Sequence, residues 1–455
     1  MNDQAADISP SLGRLRALPC FLSGRFFFVF VVASLAMVPW YFGPGGGIWV
    51  PLLLDAALIL AAAVDYFLAP SPEKIALHRP VNYPLPADKF SPITIEISNR
   101  AGMPVSLLIH DDFPEQCETK KLPMRTVAFP GSQTTVSYRL KPLARGDGPF
   151  GDLHFWCLGP LGLVWRKGRS PGELTAKFYP GLALIEERRM RVWRPAAQEA
   201  IRLTWRRGAG TEFDNLRDYV SGDDSRLIHW STSARRGKPV IRQNRVERSQ
   251  TVFIVLDAGR MMTARVLGKT KLDHGLDAAV LLAYAALALG DKVGVMVVGQ
   301  EVACFLPPAN APAQLGRILD ATYRLQPKMQ EPRFYLGLSM VAQKLKRRAL
   351  VLVFTDLIDE RASQGLLRYS LGLLPRHLPL VVAMSDTDLV DLADSVPKET
   401  SDLYRQGVAA GMLARREQLL AKLSSAGVMI VDARPEQISA AVLDRYLEIK
   451  HRGLL

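Results

Sequence analysis

Residues 251–257 read TVFIVLD, a continuous apolar run closing on a carboxylate, and residues 349–356, ALVLVFTD, repeat the design. A strand covered on both faces has no solvent side on which to place polar residues, so it reads as an unbroken apolar run, and such strands belong to parallel sheets sheathed in helices. The same grammar continues outward from this pair. VGVMVV (293–298), LPLVVAMS (378–385) and GVMIVDA (427–433) predict three further strands, with VACFL (302–306) as a short partner of the first of them. Residues 272–289, 314–323, 334–345, 401–424 and 436–449 carry the spacing of helices. Strands alternating with helices predict a doubly wound, largely parallel α/β sheet over residues 249–455.

In such a sheet, ligands collect beyond the carboxyl ends of the strands, where the strand order reverses. Asp257 and Asp356 stand there. If their strands are neighbours, both side chains face one crevice, a starting point for a hard cation such as Mg²⁺. The pattern resembles the von Willebrand factor A fold, whose metal site takes Asp-x-Ser-x-Ser after the first strand, a Thr from another loop and an Asp after the fourth strand. Here the first loop reads Asp257-Ala258-Gly259-Arg260-Met261, with both serine positions lost, and LPPANAP (306–312) supplies no Thr. Thr263 does not match the spacing. The expectation is a degenerate, metal-free site with Arg260 supplying the positive charge and no cofactor. Weak Mg²⁺ binding by Asp257 and Asp356, largely through water, is the alternative.

The chain has 455 residues, enough for two or three domains. Residues 1–24 read as a cytoplasmic tail. Residues 26–42 are almost wholly apolar and span about 26 Å as a helix, residues 48–69 about 33 Å, against a bilayer core of about 30 Å. Gly45, Gly46 and Gly47 separate them, and Trp40, Tyr41 and Trp49 gather at the shared end as an aromatic belt would. Two runs with no cleavage site between them predict a transmembrane hairpin over residues 25–70, not a signal peptide. Arg14, Arg16 and Arg25 precede it, and Lys74 and Arg79 follow it, placing both termini in the cytoplasm of a bacterial inner-membrane protein. Asp55 and Asp65, ten residues apart, point in different directions, which favours snorkelling or helix packing over an ion pathway.

Residues 74–180 change character. Seven short runs, KIALHR, PITIEIS, VSLLIHD, TTVSYRL, DLHFWCL, LGLVWRK and LTAKFYP, recur between Pro and Gly, and ITIEIS and TTVSYRL alternate with period two. They predict a β-sandwich-like domain. The four cysteines are scattered without paired spacing and indicate neither a disulfide framework nor a zinc site.

Residues 181–248 read as a charged connector containing the densest polar stretch of the chain, Gly210 to Arg236. On a catalytic reading, Asp223, Asp224 and His229 are metal ligands or an acid and a base. On a structural reading, Arg217, Arg226 and Arg235 pair with Asp218, Asp223 and Glu212, while Phe213, Leu216, Tyr219, Ile228 and Trp230 pin the stretch down. The structural reading is favoured, because one histidine without a nucleophile or a second ligand cluster supports little chemistry. Residues 200–250 hold eleven Arg or Lys against six Asp or Glu, a surplus for phosphate, lipid headgroups or an acidic partner. The net charge of +13 agrees with a cytoplasm-facing membrane protein, and the few interleaved aromatics argue against a nucleic-acid platform.

Gly210, Glu212-Phe213, Leu216-Arg217-x-Tyr219, Gly222-Asp223-x-x-Arg226-x-Ile228-x-Trp230 and Ala234-Arg235 resemble the signature of domain-of-unknown-function family fifty-eight. Upstream, Asp111-Asp112-Phe113-Pro114, Arg145-Gly146, Gly159-Pro160-Leu161-Gly162-Leu163 and Tyr179-Pro180 resemble its usual lead-in. The resemblance implies a membrane-anchored, cytoplasm-facing, non-enzymatic adaptor working beside a MoxR-type AAA+ ATPase in protein assembly, maturation or envelope stress response. Glu212, Arg217, Tyr219, Gly222, Asp223, Arg226, His229, Trp230 and Arg235 then mark a partner-binding segment. The enzymatic alternative is a metal-dependent hydrolase using Asp223, Asp224 and His229, or Asp257 and Asp356.

Overall fold

The computed structural model describes residues 20–42, 49–81, 83–191, 212–220, 225, 228–245, 249–357, 360–397 and 399–454, and the chain divides into two compact units, Met1–Phe178 and Tyr179–Leu455.

In the first unit, β1 (Cys20–Leu22) leads into α1 (Gly24–Phe42), followed by α2 (Trp49–Leu68). The helical run Trp49–Lys74 is long and apolar enough to cross a membrane, and a shorter apolar stretch covers Gly24–Val38. Phe26 of α1 packs with Ala62 of α2, with Leu58 and Tyr66 partly buried beside them. Eleven strands follow: β2 (Ile75–His78), β3 (Leu85–Pro86), β4 (Ser91–Asn99), β5 (Val105–Asp111), β6 (Cys117–Lys120), β7 (Met124–Ala128), β8 (Gln133–Pro142), β9 (Gly146–Phe150), β10 (Leu153–Leu158), β11 (Val164–Ser170) and β12 (Leu174–Tyr179). β4, β5, β8, β10 and β11 pair antiparallel with their neighbours, as does β12 with β9, in sheets ordered β1-β11-β10-β5-β7, β2-β4-β8-β6 and β3-β12-β9. Alternation sets the layers: Ile93, Ile95 and Ile97 of β4 face Leu107 and Ile109 of β5 and Phe155 of β10 in one core. The seven expected runs became β2, β4, β5, β8, β10, β11 and β12. The others, CETK, MRTVA and GDGPF among them, are too polar or too rich in Gly and Pro to show a period.

The second unit opens with α3 (Leu182–Arg191), whose Ile185 lies in the α/β core, so the start of the expected connector packs as part of this unit. The hairpin β13 (Glu212–Asp218) and β14 (Val240–Arg245) encloses α4 (Trp230–Arg236). The α/β portion runs β15 (Thr251–Asp257), the small ribbon β16 (Arg265–Val266) and β17 (Lys269–Thr270), α5 (Lys271–Ala288), β18 (Lys292–Val298), β19 (Val302–Ala309), α6 (Gln314–Thr322), α7 (Phe334–Lys344), β20 (Leu350–Thr355), α8 (Glu360–Leu373), β21 (Leu378–Met384), α9 (Thr387–Asp394), α10 (Thr400–Ser425), β22 (Met429–Ala433) and α11 (Ile438–His451). The sheet order is β19-β18-β15-β20-β21-β22, parallel except for the edge strand β19. Alternate residues face opposite layers. Ile254 and Leu256 pack under α5, α6 and α11, while Phe253 and Val255 pack under α7, α8 and α10. β15 connects through α5 to β18 on one side and pairs with β20 on the other, so the order reverses between β15 and β20.

Candidate functional site

The reversal point brings Asp257 and Asp356 near each other: Leu256 pairs with Phe354, which sets Asp257 beside Thr355, and Asp356 follows one residue on, close enough for its charge to act on Asp257. Both carboxylates are buried. Asp257 Oδ2 accepts the Thr355 hydroxyl at 2.7 Å and Oδ1 accepts the Gly259 amide at 2.7 Å. Burial pushes the Asp257 carboxyl up to about 6, because the two hydrogen bonds recover only part of the lost hydration and the Asp356 charge works against it.

The cation of this crevice is Lys271, not Arg260. Lys271 is the first residue of α5 and is fully buried, and its Nζ donates to Asp356 Oδ2 at 2.6 Å and Asp386 Oδ2 at 2.9 Å. Burial alone would strip its proton, yet the two carboxylates more than reverse this and hold the ammonium above the ordinary lysine range. Asp386 also caps α9, with Oδ1 accepting the amides of Asp388 at 3.2 Å and Leu389 at 3.4 Å. Despite its partial burial, Lys271 and these amides hold it below the usual carboxylate range. Behind the cluster Arg416 makes a two-pronged pair with Asp432 at 2.8 and 2.6 Å. Arg260 instead lies half-exposed near Glu331 at 4.0 Å.

The first loop is closed rather than open to a ligand. Lys328 donates its amide to the Ala258 carbonyl at 2.9 Å, and the Arg260 amide donates to Gln330 at 2.8 Å, so residues 328–332 strap across it. A Cβ at Gly259 would stand 2.6 Å from Pro332 Cδ, which leaves no room for the serine of a metal-holding loop. Thr263 turns away, donating to the Arg260 carbonyl at 2.6 Å.

A divalent cation does not fit this arrangement. Mg²⁺ takes about six oxygens at about 2.0–2.1 Å. Both Asp257 oxygens are engaged, and Asp356 Oδ2 and Asp386 Oδ2 are held by an ammonium. Asp356 Oδ1, buried and without a hydrogen bond, is the one carboxylate oxygen of Asp257, Asp356 and Asp386 left open.

The signature segment is organised around its hairpin. Arg217 lies on β13 and donates to the Asp218 carbonyl at 3.3 Å, and the Tyr219 amide continues the pairing to Pro239 at 2.9 Å. Ile228 bridges to Ile241. His229 is the residue before α4; its Nδ1 meets the Thr232 hydroxyl at 2.9 Å, and its carbonyl accepts the Ser233 amide at 3.0 Å. That is a helix-starting role. Trp230 does not pin the segment down: it is 71% exposed. Arg235 is exposed in the last turn of α4, and Glu212 opens β13. Gly222, Asp223, Asp224 and Arg226 lie outside the described residues, so the expected cluster of Asp223, Asp224 and His229 and the pairs of Arg226 and Asp223 lie outside them as well.

Asp65 was expected to snorkel or to pack between helices. It is instead fully buried at the end of α2, where its carboxylate accepts the amides of Leu161 at 2.7 Å, Leu163 at 2.7 Å and Val164 at 3.0 Å. Asp55 lines a cleft of about 200 Å³ with Ser34 and Met37 between α1 and α2.

The raised pKa of Asp257 yields a direct test. Its folded value lies above its ordinary 3.8, so the associated stability is complete below that value and is lost as pH rises through about 6. Asp257→Asn, whose carbonyl still accepts the Gly259 amide while its NH₂ donates to the Thr355 hydroxyl, which can turn to accept, is expected to stabilise the protein by about 2 kcal/mol at pH 7.5, with the advantage fading towards pH 4. Thermal unfolding at both pH values checks this. Destabilisation at pH 7.5 would mean that the crevice needs the charge.

The family described as Protein of unknown function DUF58 matches residues 215–396, bearing out the resemblance carried by the signature segment. Uncharacterized protein Rv1480 of Mycobacterium tuberculosis is 20% identical over 263 residues, covering 54% of this chain and 82% of its own, as is Uncharacterized protein Mb1516 of Mycobacterium bovis. Among solved structures, BatB from Bacteroides thetaiotaomicron is 13% identical with TM-score 0.31, covering 44% of this chain and all of its own. An aerotolerance-related membrane protein from Bacteroides fragilis is 14% identical with TM-score 0.32, covering 44% of this chain and 99% of its own. The sheet order described above, parallel but for one edge strand, is that of the doubly wound α/β sheet expected from the sequence.

Proposed function

We propose that this protein is a non-enzymatic, membrane-anchored adaptor. Its two apolar helices form a two-span hairpin in a bacterial inner membrane, both termini face the cytoplasm, and the antiparallel unit is read as a β-sandwich. The observation that carries the reading is α2 itself. Leu53 is 69% exposed, Leu60 66% and Phe67 81%, an apolar surface that water does not stabilise, and the same helix ends in the Asp65 joint to the turn before β11. A span fastened through a buried carboxylate suits a platform. The partner, a MoxR-type AAA+ ATPase serving protein assembly, maturation or envelope stress response, follows from the family resemblance.

Besides the signature segment from Glu212 to Arg235, the surface assigned to the partner includes α10 and Val396, four residues before its first residue Thr400. Val396, Leu403, Tyr404 and Val408 are exposed there, Tyr404 to 77%. Purification of the full chain from a detergent extract of its own cells, with and without ATP, is expected to bring the ATPase along. Leu403→Asp with Tyr404→Asp is expected to lower the recovery at least about tenfold, the effect of losing a packed interface anchor. Repeated absence of the ATPase in both conditions sinks the partner assignment, and unchanged recovery with the double variant sinks the surface.

A further inference from the structure

The cluster around Lys271 is a complete electrostatic unit built from three separate connections. Lys271 comes from the start of the helix that follows β15 and β17, Asp356 from the end of β20, and Asp386 from the residues that follow β21. The lysine is positioned by its own helix start. Thr270 accepts the Asp273 amide at 3.1 Å and Asp273 accepts the Thr270 amide at 2.9 Å, a reciprocal cap that fixes the first turn of α5. Lys271, Gly275, Ala278 and Leu282 then share the buried face of α5, so the ammonium points where the next apolar side chain of that face would go.

An isolated ammonium in such a place would shed its proton or leave; two carboxylates at 2.6 and 2.9 Å retain it. Conversely, Asp356 and Asp386 have no reason to converge without a cation between them, since like charges in a dry crevice repel. Asp356 Oδ1 points to the same conclusion: it is buried and has no hydrogen-bond partner, a donor-poor oxygen of the kind that suits a cation.

We propose that the Lys271 ammonium is the resident cation of this crevice. It stands in the place a divalent ion would need, and it keeps the carboxylate cluster from taking up metal for as long as it is there. A tethered cation does not exchange with solvent, so the ends of β15, β20 and β21 are held together independently of divalent-ion concentration. Removing the ammonium leaves Asp356 with both oxygens open and Asp386 Oδ2 open beside it, while Asp257 stays engaged by Thr355 and Gly259 and Arg416 remains as a positive charge near Asp356. The open oxygens are a set of the type hard cations bind.

The test uses the full chain in detergent with Mn²⁺ as the probe, following the electron paramagnetic resonance signal of free Mn²⁺ together with thermal unfolding. The wild type is expected to take up no stoichiometric Mn²⁺ and to melt at the same temperature with Mn²⁺ or with EDTA. Lys271→Ser is expected to melt lower without metal, to bind one Mn²⁺ per chain and to regain much of its melting temperature when it does. Adding Asp356→Asn to that variant is expected to abolish the uptake. Binding of one Mn²⁺ by the wild type, lost on Asp356→Asn, overturns the proposal. So does a folded Lys271→Ser protein that takes up no Mn²⁺. Where Lys271→Ser does not fold alone, Lys271→Gln is refolded with and without Mn²⁺; recovery that requires the metal supports the proposal, and failure in both overturns it.

Discussion

Asp65→Ala is expected to lower the unfolding free energy of the first unit by about 5 kcal/mol or more, because hydrogen bonds to a charged acceptor contribute about 1.5–3 kcal/mol each and three are lost together. The carboxylate is fully buried and accepts the amides of Leu161, Leu163 and Val164, and Gly159 lies so close that a Cβ there would stand 2.4 Å from Asp65 Oδ1. The turn has a second fastening, in which Ser23 donates its hydroxyl to the Gly162 carbonyl at 2.5 Å and its amide to Leu163 at 2.7 Å. β1 continues the fastening by pairing Cys20 with Arg166 on β11. Loss of Asp65 therefore loosens the joint between α2 and the strands without deleting either. The expected signs are a lower melting temperature in detergent and new tryptic cleavage at Arg166. Asp65→Asn is expected to be no better than alanine, since its NH₂ group is a donor set among donors. Near-normal stability of the Asn variant would show that charge is not what holds the turn.

The contrast between Asp65 and Asp257 shows what could be read from the chain and what could not. Asp257 was legible because an apolar run of strand length ended on it, and parallel sheets place such ends on one rim. That Asp257 and Asp356 face one crevice followed from the same reasoning. Asp65 gave a local signal only, an acid near the end of an apolar helix, and its three partners lie 96 to 99 residues away. α8 went unread because ERASQGLLRYSLGL carries two glycines, which weaken a helix signal even where the apolar residues gather on one face, and α9 because a helix of eight residues leaves too few turns for a period. The edge strand β19 ran on to Ala309, through two prolines that an edge tolerates and a central strand does not.

The charge partner in the crevice was misassigned for an instructive reason. Arg260 adjoins Asp257 in sequence, and adjacency suggested pairing, whereas the strap at residues 328–332 turns that loop outward. Lys271 carried the better signal. It occupies an inward position of a helix whose i, i+4, i+7 and i+11 residues are otherwise Gly, Ala and Leu. A lysine that continues an apolar stripe must find carboxylates inside, and on a doubly wound sheet the strand ends are where they are available. The signature segment stayed opaque for the opposite reason: its charges are dense in sequence, but what the structure shows of it is held by backbone pairing, by Ile228 and by the start of α4.

Arg79→Met is the other change expected to have a large effect, and pH separates its causes. Arg79 is buried, donates to Asp111 and to the carbonyls of Gly151 and Gly172, and lies over the Phe150 ring at 4.4 Å. The Tyr138 hydroxyl completes the network by donating to Asp111 Oδ2 at 2.7 Å. Deleting one partner of a buried pair costs about 3–5 kcal/mol, mostly through the charge left behind. That charge is Asp111, whose carboxyl burial pushes up to about 6 even with Arg79 beside it. A folded value above the ordinary 3.8 means that the linked stability is present at low pH and is lost as pH rises through about 6. Without Arg79 the carboxyl moves higher still, so the deficit of the variant is expected to be largest at pH 8 and to shrink by more than half at pH 5, where Asp111 is neutral. Adding Asp111→Asn to Arg79→Met is expected to recover stability at pH 8, because the amide carries no charge and still accepts the Tyr138 hydroxyl. A deficit equal at both pH values and untouched by the second change would place the loss in the packing of Arg79 on Phe150 rather than in the stranded carboxylate.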